Sequence, residues 1–160
     1  GIAAVEADIL VFVDADGADD PADMAALVDP VASGTAEVAI GSRVTGAAEA
    51  GALSPVQRLG NALACRLIRG FWGVAFSDLG PFRAVSSAAL ARLGMRERGF
   101  GWTVAMQIAI ARQGMACVEV PVAYRRRRAG RSKISGTISG SLGAGGRILW
   151  LIARARLLGM

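Results

Sequence analysis

Apolar and polar positions follow two rhythms along this chain, one of strands and one of helices. Ala7 to Val13 (ADILVFV) is a short apolar, β-rich run that stops at acidic residues. It predicts a buried strand in a parallel sheet. Asp20-Pro21 follows, a side-chain cap and a residue suited to a first turn, so a helix is expected to about Asp29. Glu37 to Ile40 (EVAI) reads as a second strand closed by Gly41-Ser42-Arg43, with a polar, Gly-rich loop to Gly51. After Ser54-Pro55, the residues Val56, Leu59, Leu63, Leu67, Ile68 and Phe71 recur at helical spacing. A short strand is expected over Phe82 to Val85, then a helix from Ser86 or Ser87 through Leu93. Trp102 to Gln113 reads as a helix stopped by Gly114. Ala116 to Tyr124 reads as a strand whose Pro121 puts its end near a sheet edge. From Ile134 the chain is Gly/Ser-rich, and from Arg147 it becomes amphipathic. Strands alternating with helices, without internal repeat, give an α/β class.

Composition narrows this picture. The chain has 160 residues, enough for one domain with a real core. It is 53% hydrophobic with a mean hydropathy of +0.44, an excess carried largely by Ala and Val. No run of 18 or more uncharged apolar residues predicts a membrane-spanning helix. There is no histidine, which excludes His-based metal sites and catalytic triads within these residues. Cys65 and Cys117 sit far apart in apolar runs and read as buried thiols. The chain begins at Gly1 and enters a strand almost at once, so further residues are expected upstream.

Charge is divided along the sequence. The net charge is +5, yet carboxylates gather early (Asp14, Asp16, Asp19, Asp20, Asp23) and cations late (Arg125 to Arg128, Arg131, Lys133, Arg147, Arg154, Arg156). An acidic front and a basic tail fit a metal site followed by an anion or membrane contact. Nucleic acid is not an expected partner, because no basic motif is interleaved with aromatic residues.

Asp14-Ala15-Asp16 stands where the first strand ends. Alternate residues of an extended chain face the same side, so the two carboxylates converge. A hard divalent cation takes such a pair, with phosphate oxygens and water completing its shell. Ligand crevices of open α/β sheets lie beyond the carboxyl ends of strands. The plain alternative is a solvated loop with an Asp helix cap. A competing enzyme class, the haloacid-dehalogenase phosphatases, also places DxDG after an apolar strand. Ala18 stands where that pattern wants Thr or Val, and its later Lys and acidic pair are missing.

Three further segments carry chemistry. Asp78, in Ser77-Asp78-Leu79-Gly80-Pro81-Phe82-Arg83, is a candidate general base or an ordinary loop carboxylate. Trp102 either walls a sugar or lipid pocket or packs in the core. Tyr124 to Lys133 (YRRRRAGRSK) offers guanidiniums around a Gly turn, a diphosphate clamp or a solvated basic loop. Four consecutive arginines cannot all face one ligand. Arg147 to Met160 mixes Ile148, Leu149, Trp150, Ile152, Leu157 and Leu158 with arginines, which suits an interfacial helix or one docked on protein.

In order, VFVDADGADDPADM (Val11 to Met24), IGSR (Ile40 to Arg43), QRLGNALACRL (Gln57 to Leu67), SDLGPFRA (Ser77 to Ala84), GWTVAMQ (Gly101 to Gln107) and VPVAYRRRRAGRSKISG (Val120 to Gly136) resemble the polyprenyl- or dolichyl-phosphate glycosyltransferases of family 2. The resemblance covers nearly the whole chain. It implies part of a GT-A (Rossmann-like) domain, a mixed sheet flanked by helices, over residues 1–133, with an amphipathic, membrane-interfacial tail over 134–160. It implies Mg²⁺ or Mn²⁺ on Asp14 and Asp16, and phosphate contacts from Arg43 and Arg58. It implies Asp78 at the acceptor as candidate base, and Arg127, Ser132 and Lys133 closing on donor and lipid phosphate. The implied reaction is inverting transfer from a UDP- or GDP-linked sugar to a polyprenyl phosphate at the cytoplasmic membrane face. Two departures bear on it. Ala18 replaces a Gln that binds the metal in some members, leaving water or Asp19 to substitute. The P-x-x-N-E and D-x-S-x-D segments that hold base and ribose are not among these residues, so the chain alone is expected to be inactive. Transfer to a soluble acceptor and a non-catalytic membrane-binding role are the remaining alternatives.

Overall fold

The computed structural model describes residues 6–97, 99, 101–127 and 138–158. Four strands form one mixed sheet: β1 (Ile9–Phe12), β2 (Val38–Ala48), β3 (Arg83–Ser86) and β4 (Cys117–Tyr124), in the order β1-β3-β2-β4. β3 runs antiparallel to both β1 and β2, while β2 and β4 are parallel. The parallel setting expected for the first strand is therefore corrected. β1 is a half-buried edge strand paired only with antiparallel β3 among the described residues. Continuous apolar runs report burial, not strand direction.

Among the described residues, five α-helices surround the sheet: α1 (Met24–Ala32), α2 (Pro55–Trp72), α3 (Ser87–Leu93), α4 (Trp102–Gln113) and α5 (Ile138–Leu158). A 3₁₀ turn over Pro21–Asp23, capped by the Asp20 side chain, leads into α1. α1 continues through Pro30 to Ala32, beyond the expected end at Asp29. Leu27 and Val31 of α1 pack with Ala39, Phe82, Ala84 and Val122 on one face of the sheet. On the other face Ile40 and Val85 meet Ile68 of α2, Leu90 of α3, Val104 of α4 and Ile152 of α5 in a larger core. Both cysteines are free thiols, Cys65 buried and Cys117 half-buried.

Three further expectations change. β2 runs on to Ala48 where a Gly-rich loop was expected, across an irregularity between Ser42 and Ala47. Gly46 permits this, because a Cβ there would lie 2.1 Å from the Val122 carbonyl oxygen. α5 begins at Ile138, well before the amphipathic stretch, despite its glycines. α2 starts at Ser54-Pro55 as expected, with a capping box between Ser54 and Gln57, but its apolar residues divide between two faces. Ala64, Cys65 and Ile68 are buried, whereas Val56 and Leu59 are 63% and 73% exposed and Leu63 and Phe71 are also exposed.

Candidate active site

The acidic loop after β1 lies along the end of β4. Asp19 and Tyr124 form a β-bridge, and the Arg125 amide donates to the Ala18 carbonyl at 2.8 Å. Three successive arginines then separate onto different partners. Arg125 pairs with Asp20, and Arg126 donates to the Ala50 carbonyl and lies near Glu49. Arg127 pairs with Asp16 Oδ2 at 2.7 Å. Arg125, Arg126 and Arg127 are thus ties between the end of β4 and its neighbours, and among these three Arg127 reaches a DxD carboxylate. Ser132 and Lys133 lie outside the described residues.

Across the loop, the turn after α2 is gripped by four elements. Asn61 of α2 donates to the Ser77 carbonyl at 3.0 Å and accepts from the Leu79 amide at 2.8 Å. Glu119 of β4 accepts from the Ser77 and Asp78 amides. Gln107 of α4 donates to the Asp78 carbonyl at 2.7 Å. From β2, Arg43 donates its amide and Nε to Asp78 Oδ2, both at 2.8 Å, and its terminal Nη2 to Oδ1 at 2.7 Å. Gly80 lets this turn press against β2, since a Cβ there would lie 2.6 Å from the Gly41 carbonyl oxygen. The Ser42 and Ser77 hydroxyls complete the contact at 2.7 Å.

This geometry revises the expectation for Asp78. Its side chain is fully buried and both carboxylate oxygens are taken by Arg43. In this arrangement it anchors a guanidinium instead of facing an acceptor hydroxyl. Burial works to lower the Arg43 pKa, and the bonds and charge of Asp78 outweigh it, leaving the guanidinium more firmly protonated than usual. Arg43 also stacks over the Tyr124 ring, 5.0 Å from its centroid. Trp102 packs against Phe12 at 4.7 Å between centroids and under the buried Arg83, so it serves the core. Arg58 stands exposed on α2, one turn before Asn61 and outside the ion pairs just described.

Asp14, Asp16, Asp19, Arg43 and Arg127 thus share one electrostatic basin. Burial and the Asp16 charge push the Asp14 carboxyl upward, while Arg127 and Arg43 pull it down. Asp19 is 4% exposed, and neither of its oxygens has a hydrogen-bond partner. Burial raises it to about 6, against the pull of Arg43. Asp16 Oδ1 accepts from the Ala18 amide at 2.9 Å, which fixes the carboxylate and turns Oδ2 toward Arg127. The donor set fits a hard cation: two carboxylates on one loop, one already drawing a cationic group to itself. No cluster of three acidic or cysteine side chains forms a closed cage among the described residues. Ala18 is buried and supplies no ligand, so any such cation would rely on phosphate and water for its remaining contacts.

Asn61, Gln107 and Glu119, which hold the Asp78 turn, are positions that sequence reasoning missed. Glu119 is the one charged residue of β4 and so was a visible signal, whereas Asn61 and Gln107 share their helices with other polar residues.

No family model matches the chain. An uncharacterised glycosyltransferase of Mycobacterium tuberculosis is 32% identical over 143 residues, covering 89% of this chain. The undecaprenyl-phosphate mannosyltransferase of Micrococcus luteus is 30% identical over 137 residues, covering 83% of this chain. The chain is similar to these glycosyltransferases, and the likeness fits a fragment of a family 2 glycosyltransferase. The chain spans 64% of the length of the first relative and 56% of the second. Its fold is that of the glucosyl-3-phosphoglycerate synthase of M. tuberculosis, solved with phosphoglyceric acid. The TM-score is 0.69 at 21% identity, over 97% of this chain and 52% of that one. Kinship with sugar transferases displaces the phosphatase reading of the DxDG pattern.

Proposed function

We propose that this chain forms the metal- and acceptor-facing part of an enzyme that moves a sugar, with inversion, from a UDP- or GDP-linked donor to a polyprenyl phosphate. Asp14 and Asp16 would hold Mg²⁺ or Mn²⁺, which when bound neutralises the departing diphosphate. Arg43 presents a fixed positive charge beside that position, and Asp78 keeps it oriented before any ligand arrives. Arg127, paired with Asp16 here, would be the cation within reach of the donor phosphates when Asp16 holds the metal. The acceptor phosphate is already anionic, so it needs orientation more than deprotonation. Arg58, Ser132 and Lys133 are assigned to phosphate contacts on the resemblance alone.

The observation that carries the lipid acceptor is the outward apolar surface of α2 and α5. Leu157 and Leu158 are 80% and 63% exposed, beside exposed Leu149 and Trp150 on α5 and Val56, Leu59, Leu63 and Phe71 on α2. Arg147 and Arg154 flank Trp150, and Arg156 lies over Phe71. Two packed helices with apolar outer faces and arginine rims suit the headgroup level of an anionic membrane. No described helix is long and apolar enough to cross one. One face of α5 is also docked on the domain, with Ile152 in the core.

A second reading keeps the chemistry and changes the acceptor. The structural neighbour bears the name of an enzyme acting on phosphoglycerate, which favours a soluble phosphorylated acceptor. The test uses the full-length enzyme with Mn²⁺, each nucleotide-sugar, and either vesicle-borne polyprenyl phosphate or phosphoglycerate. Product on the lipid alone supports the first reading, and product on phosphoglycerate alone replaces it with the second. Asp16→Ala is expected to abolish metal-dependent turnover. Activity retained at ordinary metal concentrations would remove the assignment of the DxD pair.

A further inference from the structure

A second concave site lies on the opposite side of α4 from the Asp78 turn. Gln107 points at that turn. Successive helical residues rotate by about 100°, so Ala105, Ile108, Ala109 and Arg112 fall on the other face. Those residues line a groove of about 740 Å³ between the end of α3, α4 and α5. Its volume falls in the range of small-molecule sites, about 300–1,000 Å³.

Two chemistries meet in this groove. Its apolar lining includes Ile108 and Ala109 of α4 and Leu151 of α5. Among the described residues its lining carries the guanidiniums of Arg96, Arg112, Arg147 and Arg154 against the carboxylate of Glu97. That carboxylate is matched by Arg147 at 2.6 Å. Positive charge in excess over an apolar floor selects an anion that carries a hydrocarbon chain. Guanidiniums favour phosphate oxygens, which accept forked hydrogen bonds.

The groove also has a continuation for the chain. Arg154 is shared with a shallow apolar trough of about 470 Å³, lined otherwise by Trp150, Ala153, Leu157 and Leu158. The Trp150 ring sits between Arg147 and Arg154, 4.5 and 4.9 Å from their guanidinium carbons. A phosphate in the groove would leave its chain to run past Trp150 toward Leu157.

We propose that this groove binds one anionic phospholipid, its phosphate held by the arginine rim and its first acyl carbons by the α4–α5 floor. The site is separate from the sugar-transfer basin and does not depend on whether the acceptor is a lipid. Its role is to fix α5 against the domain when a phosphatidate-type lipid is present.

The experiment titrates the full-length protein, without donor or metal, with dihexanoyl phosphatidic acid below its micelle concentration. Calorimetry is expected to show saturable one-to-one binding. Dihexanoyl phosphatidylcholine and inorganic phosphate should each bind at least about tenfold more weakly. Ala109→Trp fills the floor, and Arg96→Gln with Arg112→Gln strips the rim. Each variant, with its circular dichroism unchanged, should lose about tenfold in affinity. Should Ala109→Trp fail to fold, the double rim variant decides. Equal binding of inorganic phosphate would reduce the site to a basic patch and overturn the proposal. Equal binding of phosphatidylcholine, or full affinity in the folded variants, would overturn it too.

Discussion

Replacing Arg43 with Met tests the anchor at the centre of the candidate site. The substitution keeps an unbranched apolar stem and removes the guanidinium. Asp78 then loses its bonds at 2.8 Å and 2.7 Å from Nε and Nη2 and keeps only the Arg43 amide at 2.8 Å. The carboxylate remains buried, with 1% of its side chain exposed. Removing one partner of a buried pair costs about 3–5 kcal/mol, because the other charge is left without compensation. The Arg43 side chain is 13% exposed, so some water reaches the vacated space and favours the lower end. For a chain of this size about 2–4 °C is lost per kcal/mol, which predicts a fall in Tm of roughly 6–15 °C. Urea unfolding followed by circular dichroism measures the change at constant temperature. Arg43→Met with Asp78→Leu removes both charges and is expected to recover most of the loss. A loss below about 1 kcal/mol for Arg43→Met alone would place the pair in the range of solvated surface bridges. The claim that Asp78 positions Arg43 would then fail.

Other perturbations separate the remaining parts. Asp19 has a folded pKa of about 6, above its ordinary 3.8. The fold therefore binds its proton more tightly than the unfolded chain, and stability declines as pH rises from about 4 to about 6. Asp19→Asn should flatten that decline and gain about 1–3 kcal/mol at pH 7 by removing an unpartnered buried charge. Parallel curves of urea midpoint against pH for the two proteins would contradict this. Arg127→Ala frees Asp16 Oδ2 and should tighten binding of Mn²⁺ alone by roughly 1 kcal/mol, as expected for a partly exposed pair. The same change should weaken binding of the nucleotide diphosphate with Mn²⁺. Unchanged Mn²⁺ affinity by electron paramagnetic resonance would show that Arg127 does not compete. Gly46→Ala drives a methyl group into the Val122 backbone and should cost at least about 2 kcal/mol, more than an ordinary surface change. A midpoint within error of the parent would mean that β2 and β4 part freely there.

The strands and helices were legible because their signals are local. Ser54 and Pro55 announce the start of α2, and Gly114 announces the end of α4. Strand direction was not legible, since ILVF is equally apolar in either orientation. The exposed face of α2 was hidden for a related reason. Val56, Leu59 and Leu63 keep helical spacing whether they meet a core or not, and only tertiary packing decides. At the site, Asp14, Asp16, Arg43 and Arg127 do come together. The partner of Asp78 was illegible because it lies 35 residues away on a neighbouring strand. Asn61, Gln107 and Glu119 act on backbone groups, which leave no complementary residue type in the sequence.

The pairing of β4 has a consequence for the order in which this protein assembles. Among the described residues β4 joins the sheet through β2, with Val38 opposite Cys117 and about half of the chain looped between them. Such a pairing forms only after a long loop has closed, a late and slow event in folding. Tyr124, Arg125 and Arg127 are carried by that same strand and its exit, and Glu119 on it holds the Asp78 turn. A chain caught before β4 docks would have its helices and its antiparallel strands, yet no basin in which to receive a phosphate. Ligand-competent protein should therefore emerge in a single late step, and binding of a nucleotide diphosphate would report the completion of folding itself.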